Sequence, residues 1–128
     1  MTAGRILLVE DDPLSLKLMR DVLRASGYET GEESNGLDAL DRVASFIPQL
    51  IVIDIGLPGL DGVETTRRLK SSPETAAIPV VAVTAYAMPV DEQRMRDAGC
   101  DAHLVKPLRF AQFVDVVRSL MPSSARPA

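Results

Sequence analysis

The chain has 128 residues, 46% of them apolar and 25% charged, and its 18 acidic and 14 basic side chains leave a formal net charge of -4. One domain of that length buries roughly two-thirds of its unfolded surface and needs no disulfide or metal staple. An acid excess without any arginine-rich run argues against a nucleic-acid surface, no apolar run is long enough to span a bilayer, and a lone cysteine, Cys100, fits the reducing cytoplasm.

The first β-rich run is Arg5–Val9, and it ends in Glu10-Asp11-Asp12. Helical spacing follows over Pro13–Ser26, with Leu14, Leu18, Met19, Val22 and Leu23 expected on one buried face and Gly27 as the stop. Leu16 falls off that face and is expected to be exposed. A weaker strand signal covers Tyr28–Glu33. The second helix spans Leu37–Phe46, with Leu37, Leu40 and Val43 inward and Pro48 beyond its end. Leu50–Ile53 is continuously apolar and finishes on a carboxylate, Asp54, before a loop containing Gly56, Gly59 and Gly62. Gly59 and Gly62 are expected to give that loop backbone freedom.

A short helix is expected at Val63–Lys70, then a second continuous apolar run, Val80–Val83, ending in Thr84-Ala85. Asp91–Ala98 reads as a polar helix stopped by Gly99. Ala102–Val105 is the last strand and leads into Lys106-Pro107. Phe110–Met121 carries Phe110, Phe113, Val114, Val117 and Leu120 at helical spacing. Residues 1–121 are thus expected to form the domain, and 122–128 a flexible tail.

Five strand–helix units predict an α/β fold, a doubly wound five-stranded parallel sheet with right-handed crossovers. Continuous apolar strands suit a sheet covered on both faces. In such sheets sites lie beyond the carboxyl ends of the strands. That edge would gather Glu10, Asp11, Asp54, Thr84 and Lys106. Clustered carboxylates repel one another and need countercharge. An all-oxygen ligand set suits a hard cation, and few protein ligands in an open cleft favour Mg²⁺. Asp11, Asp54 and the Gly56 main-chain carbonyl are expected as direct ligands, with Glu10 acting mainly through water.

A carboxylate beside Mg²⁺, a hydroxyl and an ammonium make a phosphoryl-transfer site. Asp54 would be the nucleophile, Lys106 and Thr84 would hold phosphoryl oxygens, and the added charge would be the trigger for a switch. Asp54 alone could be a strand-end cap, but its four companions favour the phosphoacceptor role, and Asp12 or Pro13 helps start the first helix. Cys100 reads as a small buried residue.

The order and spacing of ILLVEDD (Ile6–Asp12), DIGLPGLDG (Asp54–Gly62), VTAYA (Val83–Ala87) and LVKP (Leu104–Pro107) resemble the receiver domain of two-component response regulators over nearly the whole chain. The resemblance implies a flavodoxin-like (βα)5 fold of strand order 2-1-3-4-5, a cis Lys106–Pro107 bond, Asp54 as phosphoacceptor, Glu10 and Asp11 as the acidic metal pocket, Thr84 as switch hydroxyl and Lys106 as the phosphate-sensing lysine. It implies a donor, a sensor histidine kinase or histidine phosphotransfer protein, docking near the first helix. It also implies a downstream protein partner on the face of the fourth helix, fifth strand and fifth helix. VVAVTAYAM (Val80–Met88) and GCDAHLVKP (Gly99–Pro107) are similar to the single-domain cell-cycle regulators of the DivK type, which points to cell-cycle or cell-polarity signalling. The family's usual aromatic residue three before the lysine is His103 here, and Tyr86 is a second ring expected beside the site.

The alternatives are an isolated receiver of a longer regulator, a constitutive scaffold, and an aspartate-nucleophile phosphatase. The last normally carries a second acid two residues after the nucleophile, where this chain has Gly56. No G-x-G-x-x-G follows the first strand, against dinucleotide binding.

Overall fold

The computed structural model describes residues 4–85 and 88–122. Ten elements alternate: β1 (Arg5–Val9), α1 (Pro13–Ala25), β2 (Glu29–Glu33), α2 (Gly36–Phe46), β3 (Leu50–Asp54), α3 (Gly62–Ser71), β4 (Val80–Thr84), α4 (Pro89–Ala98), β5 (Ala102–Val105) and α5 (Phe110–Leu120). The strands pair in parallel in the order β2-β1-β3-β4-β5. Every expected element is present, within one or two residues at most ends.

The strand side chains divide between two cores. Ile6, Leu8, Leu50, Val52, Val81 and Val83 pack with Met19 and Leu23 of α1 and Phe113 and Val117 of α5. Leu7, Val9, Ile51, Ile53, Val80 and Ala82 pack on the other face with residues of α2, α3 and α4, among them Val43, Leu69 and Met95. Both β3 and β4 are buried along their whole length, which is why their sequences lack polar alternation.

The first three helices begin where the sequence supplies an oxygen. Asp12, Asn35 and Asp61 accept the Ser15, Asp38 and Glu64 N–H groups at the starts of α1, α2 and α3. Gly27 follows α1 with φ 96°. At the end of α2, Ile47 adopts a left-handed φ of 53° while 63% exposed, a costly conformation for a β-branched residue. Edge strand β2 is polar. Arg20 donates twice to Glu32, at 2.8 and 3.0 Å, Arg24 to Thr30 at 2.9 Å, and Arg42 to Glu33 at 2.9 Å.

Three expectations need correction. Leu14 and Leu18 of α1 are 64% and 41% exposed, whereas Leu16 packs on the core. The helix is apolar around too wide an arc for spacing alone to choose its buried stripe. Leu37 likewise faces out, one position after Gly36, which is pressed against Leu60 and Thr65. Cys100 is half-buried at the margin of the second core rather than inside it. The expected tail lies, from residue 123 on, outside the described residues. Among the described residues no helix is long and apolar enough to cross a membrane.

Candidate functional site

The carboxyl ends of β1, β3 and β5 bring together what 96 residues of sequence separate. Glu10 continues β1 and is anchored beside β2 by its N–H to the Glu33 carbonyl, 3.0 Å. Asp54 is the last residue of β3, in register with Val83 of β4. Lys106 follows β5, and its N–H donates to the Thr84 carbonyl at 2.8 Å. The Lys106–Pro107 bond is cis.

One carboxylate oxygen from each of Glu10, Asp11 and Asp54 lies within 4.8 Å of the others. Their burial differs. Glu10 is 1% exposed and Asp54 9%, while Asp11 stands in solvent. Three carboxylates at that spacing, two of them shielded from water, are a repulsive arrangement that one ammonium only partly offsets. Lys106 is that ammonium. Its Nζ donates to Glu10 Oε1 and reaches Asp54 Oδ2 at 3.4 Å. Burial pushes the Glu10 carboxyl up to about 7, with Asp54 adding to the rise and Lys106 and the Asp12 N–H opposing it. Burial works against the Lys106 charge, but Glu10 and Asp54 outweigh it, and its pKa is raised.

The acidic run therefore splits into three jobs. Glu10 accepts from Lys106 and, through its other oxygen, from the Asp12 N–H at 3.2 Å. Asp11 is exposed and opens toward solvent. Asp12 turns away to cap α1, taking both the Ser15 N–H at 3.1 Å and the Ser15 hydroxyl at 2.7 Å. Those bonds hold its carboxyl below the usual range. Asp12 starts α1 as its place before Pro13 suggests, and Lys106 supplies countercharge to the carboxylates. That Glu10 rather than Asp11 receives it is a matter of side-chain direction, which spacing does not show.

Asp54 keeps one oxygen, Oδ1, on the Gly56 N–H at 3.1 Å. Thr84 is fully buried at the end of β4, one residue beyond the strand position beside Asp54. His103 pairs in register with Ala82, so it shares a sheet face with Ala82 and Thr84. It is half-buried, and its Nε2 is buried without a hydrogen-bond partner. Tyr86, the second expected ring, lies outside the described residues.

The donor set fits a hard divalent cation. It is all oxygen, it has an exposed member that can exchange with water, and its buried members are short of positive charge. Beside the cluster is a cavity of about 450 Å³ between α1 and the β5–α5 loop, bordered by Leu18, Met19, Lys106, Pro107, Leu108 and Phe110. The exposed Leu14 and Leu18 lie on the same helix. The sequence held a signal for this surface, the i, i+4 leucine pair, but it read as core.

Comparison with known proteins agrees with this geometry. The family model described as the response regulator receiver domain matches residues 6–118. The polar-differentiation response regulator DivK of Brucella anthropi is 46% identical over 116 residues, covering 91% of this chain and 94% of that protein. The DivK of Brucella ovis is 45% identical over the same shares. Among solved structures, the receiver domain of a signal transduction histidine kinase from Syntrophus aciditrophicus superposes with a TM-score of 0.89 at 32% identity, covering 98% of this chain and 96% of that one. The receiver domain of a sensor histidine kinase from Pseudomonas aeruginosa, solved with a magnesium ion coordinated in its active-site cleft, gives 0.86 at 28% identity, covering 93% and 98%.

Proposed function

Because the chain belongs to the response regulator receiver domain family and is a DivK-like response regulator of two-component signalling, we propose that Asp54 is its phosphoacceptor and that phosphorylation there switches its binding to a protein partner. The observation that supports this best is the crowding of Glu10, Asp11 and Asp54 around a single ammonium, Lys106. Such a cluster is poorly satisfied by itself and is completed by a cation and a phosphoryl group.

Asp11, Asp54 and the Gly56 main-chain carbonyl would hold Mg²⁺, with Glu10 beside them. The cation would neutralise carboxylate charge and charge on the phosphoryl oxygens. In the transfer step a carboxylate oxygen of Asp54 forms a bond to phosphorus. The phosphorus–nitrogen bond to the donor's phosphohistidine breaks, and its electron pair stays on the imidazole. Lys106 shifts from its carboxylate partners to a phosphoryl oxygen, and the Thr84 hydroxyl bonds another. The donor, a sensor histidine kinase or histidine phosphotransfer protein, docks over the exposed Leu14 and Leu18 and the apolar groove that ends at Lys106. The downstream partner reads the face of α4, β5 and α5, where His103 takes the place of the family's aromatic ring. The setting is the cytoplasm, and the names of the DivK relatives suggest cell-polarity or cell-cycle signalling.

The test is labelling by a phosphohistidine donor with and without Mg²⁺. Wild type is expected to acquire one metal-dependent, acid-stable but base-labile phosphoryl group, and Asp54→Asn none. Pull-downs with and without beryllium fluoride then identify the partner. Labelling that survives Asp54→Asn unchanged, or a partner bound equally in both states, overturns the reading.

A further inference from the structure

Gly62 does not do what its place in a glycine-rich loop suggests. Positive φ values among the described glycines are at Gly27, Gly59 and Gly99, and Gly62 is not among them. Gly59 supplies the turn, at φ 69°, with open space where a side chain would project. Gly62 is instead the first residue of α3, pressed against the backbone that carries Asp54. A Cβ on Gly62 would lie 2.2 Å from the Asp54 carbonyl oxygen, 2.8 Å from the Ile55 Cα and 2.9 Å from the Asp54 carbonyl carbon. All three are main-chain atoms, so no rotamer change relieves the contact. The Gly62 N–H also donates to the Ile55 carbonyl at 3.0 Å, closing the loop on itself.

We infer that Gly62 is a positioning residue for Asp54, using the first turn of α3 as a backstop that sets how far the carboxylate stands from Glu10, Asp11 and Lys106. This rests on the phosphoacceptor reading above. The carboxylate itself has few restraints, the Gly56 N–H at 3.1 Å and Lys106 at 3.4 Å, so its location depends on its main chain. Its partners are carried by other strands, Glu10 and Asp11 after β1 and Lys106 after β5. Restoring ordinary contact at 3.4 Å from 2.2 Å moves the two backbones apart by more than 1 Å. A misplacement of about 1 Å at a reacting group costs on the order of 100-fold in rate. The backstop is itself held in place, because Asp61 caps α3 through the Glu64 N–H at 2.9 Å and pairs with Arg94 of α4 at 3.7 Å.

The experiment compares wild type, Gly62→Ala, Gly99→Ala and Asp61→Ala. Gly99 closes α4 at φ 104°, and a Cβ there would meet Lys70 Cγ at 2.9 Å, a strained position at the amino edge of the sheet, away from Asp54. Each protein is labelled with acetyl phosphate at saturating Mg²⁺, the rate is taken per folded molecule from circular dichroism, and Mg²⁺ affinity is measured by calorimetry. Gly62→Ala is expected to lose roughly tenfold or more in saturated rate and to bind Mg²⁺ several-fold more weakly. Gly99→Ala, with a comparable loss of melting temperature, should stay within about twofold of wild type per folded molecule. Should Gly62→Ala not fold, Asp61→Ala loosens the same turn without a clash, and its saturated rate should fall about threefold or more. A labelled wild type with Gly62→Ala, or failing that Asp61→Ala, at the wild-type rate and Mg²⁺ affinity overturns the inference alone. So does Gly99→Ala falling as far as Gly62→Ala, since loss would then track stability. An unlabelled wild type overturns the phosphoacceptor reading and this inference with it.

Discussion

The sheet holds a half-buried lysine at each end, and the two are in opposite conditions. At the amino edge, Lys70 gives its three protons to three acceptors: the Ile78 carbonyl at 2.8 Å, Asp101 at 3.0 Å and the Ala76 carbonyl at 3.2 Å. Asp101 is in turn occupied by the Val80 N–H at 2.8 Å. At the carboxyl edge, Lys106 faces Glu10 and Asp54 together, with Asp11 close by, and the Glu10 carboxyl is pushed up to about 7. One cluster is complete and holds α3, β4 and the α4–β5 turn in place. The other is short of positive charge, and a group that arrives with a cation can complete it. Charged residues of the same types thus serve stability at one edge and readiness at the other.

The largest test of that contrast is pH. Glu10 has a folded pKa of about 7 against an ordinary value of 4.5. A carboxyl that binds its proton more tightly when folded favours the fold below 4.5, and the benefit disappears as pH rises to 7 and beyond. Metal-free protein should therefore lose on the order of 2 kcal/mol of stability between pH 5 and pH 8 through this group, measured by urea unfolding. Glu10→Gln should flatten that slope, and Mg²⁺ at pH 8 should recover most of the loss in wild type.

Next comes Asp54→Asn, which removes a negative charge from the crowded edge while leaving an oxygen for the Gly56 N–H. It is expected to raise metal-free stability at pH 8 by about 1–2 kcal/mol while abolishing labelling. Lys70→Met should do the reverse of a functional change. It leaves two carbonyls and Asp101 short of a donor, lowers stability by about 1 kcal/mol, and leaves labelling per folded molecule unchanged. The smallest effect belongs to Lys17, whose pair with Asp21 on α1 is solvent-exposed at 2.6 Å. Lys17→Ala should leave the urea midpoint essentially unchanged. If Lys70→Met and Lys106→Met proved equally damaging to stability and equally harmless to labelling, the distinction between the two edges would fall.

The sequence showed the fold clearly because β3 and β4 are uninterrupted apolar runs and the helices between them carry caps and stops at their ends. Strand β2, Glu29–Glu33, was the faintest signal, since an edge strand covered by arginine side chains has no need of an apolar face. The convergence of Asp54, Glu10, Asp11, Thr84 and Lys106 was also legible, because strand ends on one edge of a parallel sheet must meet. Directions of side chains were not. Asp12 was legible as the start of α1, but nothing in three consecutive acids shows that Glu10 rather than Asp11 turns to Lys106. Nor does the spacing of Gly59 and Gly62 reveal that one makes a turn and the other a close approach. These depend on distances between segments rather than on any local pattern.

The arginine-clad β2 has a consequence for crowding in a cell. Its outer N–H and C=O groups are the natural place for another chain's strand to add, and such additions grow into fibres. Glu32 and Glu33, paired with Arg20 and Arg42, and Thr30, bonded by Arg24, make that border a poor template: a neighbour would have to strip two ion pairs of water before making its first bond. The exposed Leu14 and Leu18 of α1 thus lie on the helix next to an edge that resists strand addition.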